Sequence, residues 1–213
     1  MYIFTTRSYV ESITPAIVIA GSALVFTVAS FWWLNARRGR LTMTEVRIFS
    51  AYIRSDLSLL RLPITLFNTG ASALVVVDLR LQMQSGESRA TLATRTFRTT
   101  IRPGSDDVDD FPYPYAVAGR SVVTRFVEFT GDARVMAAGK PATIQLEALI
   151  DRKGWREIGS STVRLDCVAD PKQYITYSND PAHWRDGQLS RASRALEDVR
   201  AELEKLPNSA SGR

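Results

Sequence analysis

Hydrophobic and polar positions along this chain fall into three regimes. From Ile13 to Leu34 the residues ITPAIVIAGSALVFTVASFWWL run for 22 positions without a charge. At about 1.5 Å rise per residue, a helix of that length reaches ~33 Å, the thickness of a bilayer's hydrocarbon core. The run ends in Phe31, Trp32 and Trp33, whose rings suit the membrane–water interface, and Arg37, Arg38 and Arg40 follow. A cleaved signal has a shorter apolar region of about 7–15 residues that ends in small side chains. A buried soluble helix seldom runs so far without a polar face. The pattern predicts a short tail over 1–12, a retained transmembrane helix over 13–35 and a basic juxtamembrane linker over 36–43.

From residue 44 to 168 the period shortens to two. TEVRIFSAYIR (44–54) partly alternates, and LRLPITLFN (60–68) puts Leu60, Leu62, Ile64 and Leu66 on one face. ALVVVDLRLQM (73–83) sets Val77, Leu79, Leu81 and Met83 against Asp78, Arg80 and Gln82. TLATRTFRTTI (91–101), SVVTRFVEFTG (121–131), KPATIQLEALID (140–151) and WREIGSSTVRLD (155–166) continue the series. Such alternation marks half-buried antiparallel strands. Asn68-Thr69-Gly70 and Arg152-Lys153-Gly154 read as turns, and RPGSDDVDDFPYPYAVAGR (102–120) as a long loop. About seven strands without a helical period among them predict a mainly β fold: an antiparallel immunoglobulin-like β-sandwich, with a small closed barrel as runner-up.

The stretch ITLFNTGASALVVVDLRLQM resembles the opening of immunoglobulin-like sandwiches of the LEA14/WHy type. In those, a strand ends in an Asn-containing turn and the next strand alternates. The likeness covers about 20 of 213 residues, and Asn68-Thr69-Gly70 stands where Asn-Pro-Asn is usual. The resemblance implies a small β-sandwich that is not itself catalytic, and supplies no site residues.

The third regime follows residue 168. Residues 169–187 read as an aromatic linker in which Tyr174, Tyr177 and Trp184 pack against the sandwich. Over 188–206, Leu189, Ala192, Leu196, Val199, Leu203 and Leu206 recur at spacings 3-4-3-4-3, which predicts an amphipathic helix stopped by Pro207. The tail 207–213 reads as disordered.

Charge gives the topology. Arg37, Arg38 and Arg40 follow the apolar run, against Arg7 and the opposing Glu11 before it. Excess arginine stays cytoplasmic, so the amino terminus is expected outside and the carboxy-terminal domain in the cytoplasm. The chain carries 27 basic and 22 acidic residues; beyond residue 40 the balance is 23 to 21. Nucleic-acid binding is therefore not expected, because no basic stripe remains. The single cysteine, Cys167, leaves no intrachain disulfide. Arginine outnumbers lysine 23 to 4, which hints at a bacterial source.

Candidate chemistry is sparse. No Walker A, dinucleotide-binding or nucleophile-elbow pattern occurs. His183 is the only histidine, and Cys167 reads as a buried small apolar residue. Asp106, Asp107, Asp109 and Asp110 form the densest carboxylate cluster, but lack EF-hand spacing and read as a solvated loop. Phe111, Tyr113 and Tyr115 alternate with prolines that stiffen the backbone, as a recognition loop requires. Ala16, Ala20, Ala23, Thr27 and Ser30 form a small-residue stripe along the span.

These features predict a non-catalytic, single-pass, membrane-anchored sandwich without cofactor or metal, a binding or scaffold subunit of a membrane complex. Trp32, Trp33, Arg37, Arg38 and Arg40 would meet the lipid bilayer. Phe111, Tyr113, Tyr115, Leu189, Leu196, Val199 and Leu203 are candidate contacts for another membrane or cytoplasmic protein, or for a homo-oligomer through either helix; the plainer alternatives are loop aromatics that plug one end of the core and a helix that docks its seam on its own sandwich. An exported adhesion or envelope-assembly sandwich is the alternative; a tethered hydrolase using Asp106–Asp110 or His183 comes third.

Overall fold

The computed structural model describes residues 7–206, with side-chain burial from residue 15 onward. The start of the expected amino-terminal tail, and the whole tail 207–213 with Pro207, lie outside the described residues. The apolar run forms helix α1 (Arg7–Phe31), which continues as one π-helical turn over Trp32–Ala36. That turn closes where the Arg37 N–H donates to the Trp32 carbonyl at 2.9 Å. The helix thus begins upstream of Ile13, taking in much of the expected tail.

Strands β1 (Leu41–Met43), β2 (Ile48–Ile53), β3 (Ser58–Asn68), β4 (Leu74–Ser85), β5 (Ser88–Arg98) and β6 (Asp109–Asp110) follow. Then come β7 (Tyr115–Val117), β8 (Val122–Thr130), helix α2 (Ala133–Met136), β9 (Ala142–Ile150), β10 (Trp155–Val163), β11 (Ile175–Ser178) and helix α3 (Gln188–Glu204). They form one antiparallel sheet ordered β10-β9-β4-β5-β8-β3-β2-β11, with β1 added to β3, β6 to β5 and β7 to β4. The seven expected strands are β2, β3, β4, β5, β8, β9 and β10; the four extra ones are short.

The sheet curls into a sandwich around a single core. Leu60, Leu62, Ile64 and Leu66 of β3 join Leu79, Leu81 and Met83 of β4 and Ile144 and Leu146 of β9 in one buried cluster. Strand β10 returns beside β1, so close that a Cβ on Gly159 would sit 2.8 Å from the Met43 Cβ. One detail departs from simple alternation: Val76 is buried and Val77 only half-buried. The register against β9 shifts between Val76 and Asp78, and this bulge moves the inward position by one.

Two segments expected to be linkers are built into the fold. In 169–187, β11 pairs with β2, and Tyr177 stacks on Phe49 at 5.5 Å. In the juxtamembrane segment, the Ala71 N–H donates to the Arg37 carbonyl at 2.8 Å and the Thr69 N–H to the Arg40 carbonyl at 3.1 Å. The partner in both bonds is the β3–β4 turn. Asn68 holds that turn in shape: its Oδ1 accepts from the Gly70 N–H at 2.9 Å, and its Nδ2 donates to the Ser72 and Val117 carbonyls. Gly39 and Gly70 meet backbone to backbone, and a Cβ on Gly39 would lie 1.8 Å from the Gly70 nitrogen. No side chain fits there.

Helix α3 corrects part of the partner-contact expectation. Leu196, Val199 and Leu203 are buried in the chain's own core, with Ala192 beside them. A helix seam at 3-4 spacing suits a partner helix and a sandwich equally, and this one is used internally. Leu189, at 45% exposure, stays free. Accordingly, Leu196→Ala should lower stability by about 2–5 kcal/mol, whereas Leu189→Ala should change it by less than ~0.5 kcal/mol. Chemical denaturation of the detergent-solubilised full chain measures both.

Candidate functional site

The long loop and the strands beneath it hold the most concentrated polar chemistry in the fold. Thr176, Ser50, Arg61, Glu128 and Thr96 lie in one cross-strand row through β11, β2, β3, β8 and β5. Directly paired residues share a face, and this row occupies the face opposite Leu60 and Leu62. Such a face would ordinarily be wet. Here the segment following β5 folds back over it, so Arg61 and Glu128 are fully buried.

Arg61 is the centre. Its Nη1 lies 2.8 Å from Asp107 Oδ2 and donates to the Thr100 carbonyl at 2.9 Å. Its Nη2 reaches Glu128 Oε2 at 3.3 Å, and its Nε donates to the Tyr174 hydroxyl at 2.9 Å. That hydroxyl donates onward to Glu128 Oε2 at 2.5 Å. Arg98 adds ion pairs to Asp107 at 3.6 Å and to Glu128 at 3.5 Å. Arg95, the extra residue of a bulge in β5, reaches Glu128 Oε1 at 3.8 Å. Alongside, Ser50 Oγ donates to the Ile101 carbonyl at 2.5 Å.

Protonation follows this geometry. Burial pushes the Tyr174 phenol well above its ordinary range, and the adjacent Glu128 pushes the same way. Burial works against the Arg61 charge, but Tyr174 and Asp107 outweigh it and hold its pKa above the usual value. The network ties the loop to the sheet through Asp107, Thr100 and Ile101.

This corrects the solvated-loop expectation for one of its four aspartates. Asp107 is nearly buried and its carboxylate faces two guanidiniums. Asp109 remains exposed, in β6, 3.8 Å from Arg98. Among the described residues no group of three or more His, Cys, Asp or Glu side chains is placed to hold a metal ion. Arg61, Arg98 and Glu128 were not anticipated, and Tyr174 was expected only to pack against the sandwich. For Arg61 and Glu128 the one signal in the sequence is a single charge flanked by apolar residues, in LLRLP and FVEF.

Beyond the network the loop divides. Phe111 projects at 86% exposure beside Asp109 and Asp110, with Val108 also exposed. Tyr113 is partly exposed and packs edge-on to Phe97 at 5.5 Å. Tyr115 is buried in β7, edge-on to the same ring at 5.8 Å, and closes the core; burial raises its pKa to about 12 although Arg125 pulls it down. Of the three aromatics proposed as recognition residues, Phe111 and Tyr113 face solvent and Tyr115 does not.

The remaining candidates separate cleanly. His183 Nδ1 faces both Ser178 Oγ at 3.2 Å and Asp180 Oδ2 at 3.6 Å. A catalytic relay needs the serine and the carboxylate on different ring nitrogens. Cys167 is buried, and its thiol donates to the Arg164 carbonyl at 2.8 Å. Burial first, and then Asp166, push its pKa from 9.0 to about 12. At the other end of the molecule Trp32 and Trp33 are exposed, and the Arg37 guanidinium lies 4.2 Å above the Trp33 ring. Arg120 donates to the Trp33 carbonyl at 2.7 Å, and Arg38 and Arg40 line a cleft.

No family model and no curated protein matches this chain. Solved structures similar to it include a protein from Archaeoglobus fulgidus, at 8% identity and a TM-score of 0.35, covering 64% of this chain and 97% of that one. An uncharacterised β-sandwich protein from Clostridium difficile 630 matches at 8% identity and a TM-score of 0.33, over 59% and 85% of the two chains. A candidate lipoprotein from Bacillus subtilis matches at 13% identity and a TM-score of 0.32, over 83% of this chain and 44% of that one. These likenesses are too distant to bring a ligand or partner to this chain. The resemblance of residues 64–83 to LEA14/WHy sandwiches holds only at the level of a β-sandwich.

Two outcomes follow from the geometry. Arg61→Met should cost about 3–5 kcal/mol, because it strands Glu128 and Asp107, and adding Glu128→Leu should recover part of that loss; denaturant titration reads both. The folded chain holds the Cys167 thiol protonated, so its contribution is complete below pH 9 and is lost as the pH rises toward about 12. Cys167→Ala should therefore show a shallower fall in stability over that window than the parent chain.

Proposed function

We propose that this chain is a single-pass membrane anchor presenting a non-catalytic β-sandwich to the cytoplasm, as a binding or scaffold subunit of a membrane-associated complex. One observation carries the anchor: Pro15–Ala36 has a mean hydropathy of 2.0, and none of it is covered by the rest of the chain. Apolar surface of that extent needs lipid or another protein around it. Signal sequences share such length and hydropathy. Retention is favoured here because the apolar run ends in Phe31-Trp32-Trp33 and the Asn35 carbonyl already accepts from Ser72 Oγ at 3.3 Å. The orientation rests on Arg37, Arg38 and Arg40 next to the helix end.

The binding surface of this reading is the loop tip. Phe111 stands exposed beside Asp109, Asp110 and Arg95, with Val108 also exposed, on a segment pinned by Asp107. A pre-ordered aromatic loses little entropy on docking. Self-association, if it occurs, would use the small-residue stripe of α1, since the inner seam of α3 is occupied.

Topology is tested with Cys167→Ser combined with Ser190→Cys on the exposed side of α3. Labelling of intact cells with a membrane-impermeant maleimide should fail, and labelling after lysis should succeed. Labelling before lysis would overturn the cytoplasmic placement and leave the exported sandwich. Release of the chain from membranes by alkaline carbonate would overturn the anchor itself.

A further inference from the structure

Two basic segments far apart in sequence meet where α1 enters the sandwich. Arg38 and Arg40 come from the juxtamembrane segment, and Lys153 and Arg156 from the β9–β10 hairpin and the start of β10. Together they line a cleft of about 490 Å³, shared with the carboxylates of Asp151 and Glu157. Asp151 is already engaged: its Oδ1 accepts from the Val75 N–H at 3.1 Å, and Lys153 Nζ lies 4.0 Å from its other oxygen. Among the described residues, Arg38, Arg40 and Arg156 have no carboxylate within ion-pair distance.

The walls of this cleft are held in place. Behind Arg38 and Arg40, Gly39 abuts Gly70 with no room for a side chain, and the Arg40 N–H donates to Thr69 Oγ1 at 3.0 Å. On the hairpin side, Asp151 and Arg152 adopt left-handed backbone conformations, and the Asp151 N–H donates to the Val75 carbonyl at 2.9 Å. Height is set by the chain itself. Arg38 lies two residues past Ala36, where the helical segment ends, and Trp33 sits one turn before it. Tryptophans mark the interface, so with α1 spanning a bilayer the cleft would open at the depth of lipid headgroups.

We propose that this cleft binds the phosphate of an anionic phospholipid headgroup, with Arg38, Arg40, Lys153 and Arg156 as its cationic walls. The proposal rests on α1 being a membrane span. Guanidinium groups meet phosphate oxygens with paired, charge-assisted hydrogen bonds, and lysine adds a point charge. A lipid is favoured over free phosphate because Arg38 and Arg40 follow the helix end at Ala36 within four residues, and a span ending there would bring them to the surface where anionic headgroups are concentrated. The hairpin cations make the site more than a juxtamembrane basic run: they lie more than a hundred residues away and serve it only through the fold.

The test is native mass spectrometry of the full chain in detergent with phosphatidylglycerol or phosphatidylcholine added. The parent chain should retain phosphatidylglycerol preferentially. Lys153→Gln with Arg156→Gln should reduce that retention by about tenfold or more, at roughly fivefold per basic residue removed. Arg89→Gln with Arg191→Gln, exposed and remote, should leave it unchanged. Equal loss in both double variants, or none in the hairpin variant, would overturn the site. Displacement of the lipid by inorganic phosphate at equal concentration would overturn the lipid assignment in favour of a soluble phosphate ligand. Alkaline carbonate extraction run in parallel separates the two readings: a chain that stays in the membrane without lipid preference refutes the cleft alone.

Discussion

A guanidinium placed inside a sheet obliges the rest of the chain to come to it. Arg61 sits in the middle of β3 with no route to water, and an unpaired charge there would cost several kcal/mol or more. Its partners therefore come from three separate segments: Glu128 from β8, Thr100 and Asp107 from the loop after β5, and Tyr174 from the chain after β10. Meeting this one demand brings the long loop down onto the sheet and draws the segment beyond residue 168 to the sheet's edge. The outer face of β3 is buried at Leu59 and Arg61 for that reason, and opens again toward Phe67.

The same arrangement governs what the loop can offer. Its first half is held by ion pairs and backbone hydrogen bonds, and its last residues are held by β7 against β4. Between these anchors Phe111 stands clear, flanked by Pro112. A loop fixed at both ends and bare in the middle is suited to recognition. The neighbouring groups are fixed charges rather than a nucleophile aligned with a base.

Much of the architecture was legible in the alternation of side chains. β9 shows why: Ala142, Ile144, Leu146, Ala148 and Ile150 are all buried, as a period of two demands. The short strands were not legible. β6 has two residues and β7 three, and pairings so brief arise from their neighbours rather than from local preference. The α1 helix was plain because twenty-two uncharged residues in a row suit a long apolar helix. The network was hidden because Arg61 and Glu128 occupy positions where alternation assigns a polar residue to solvent. Nothing local says that a loop forty residues away will exclude the water. Asp107 was similarly masked by three neighbours of the same type. Helix α3 shows the opposite case: its seam was correctly placed, but spacing cannot name the surface that the seam meets.

The contact between Gly39 and Gly70 has a mechanical meaning. A sandwich on a loose tether can tumble and search a shell of space around its anchor. Here the chain passes from helix to sheet through backbone hydrogen bonds, with two peptide planes pressed together and no slack between them. The sandwich is joined to the end of α1 without a free tether, so a turn of the helix is also a turn of the sandwich. Any tilt or rotation of α1 is therefore also a change in where Phe111 and its loop point.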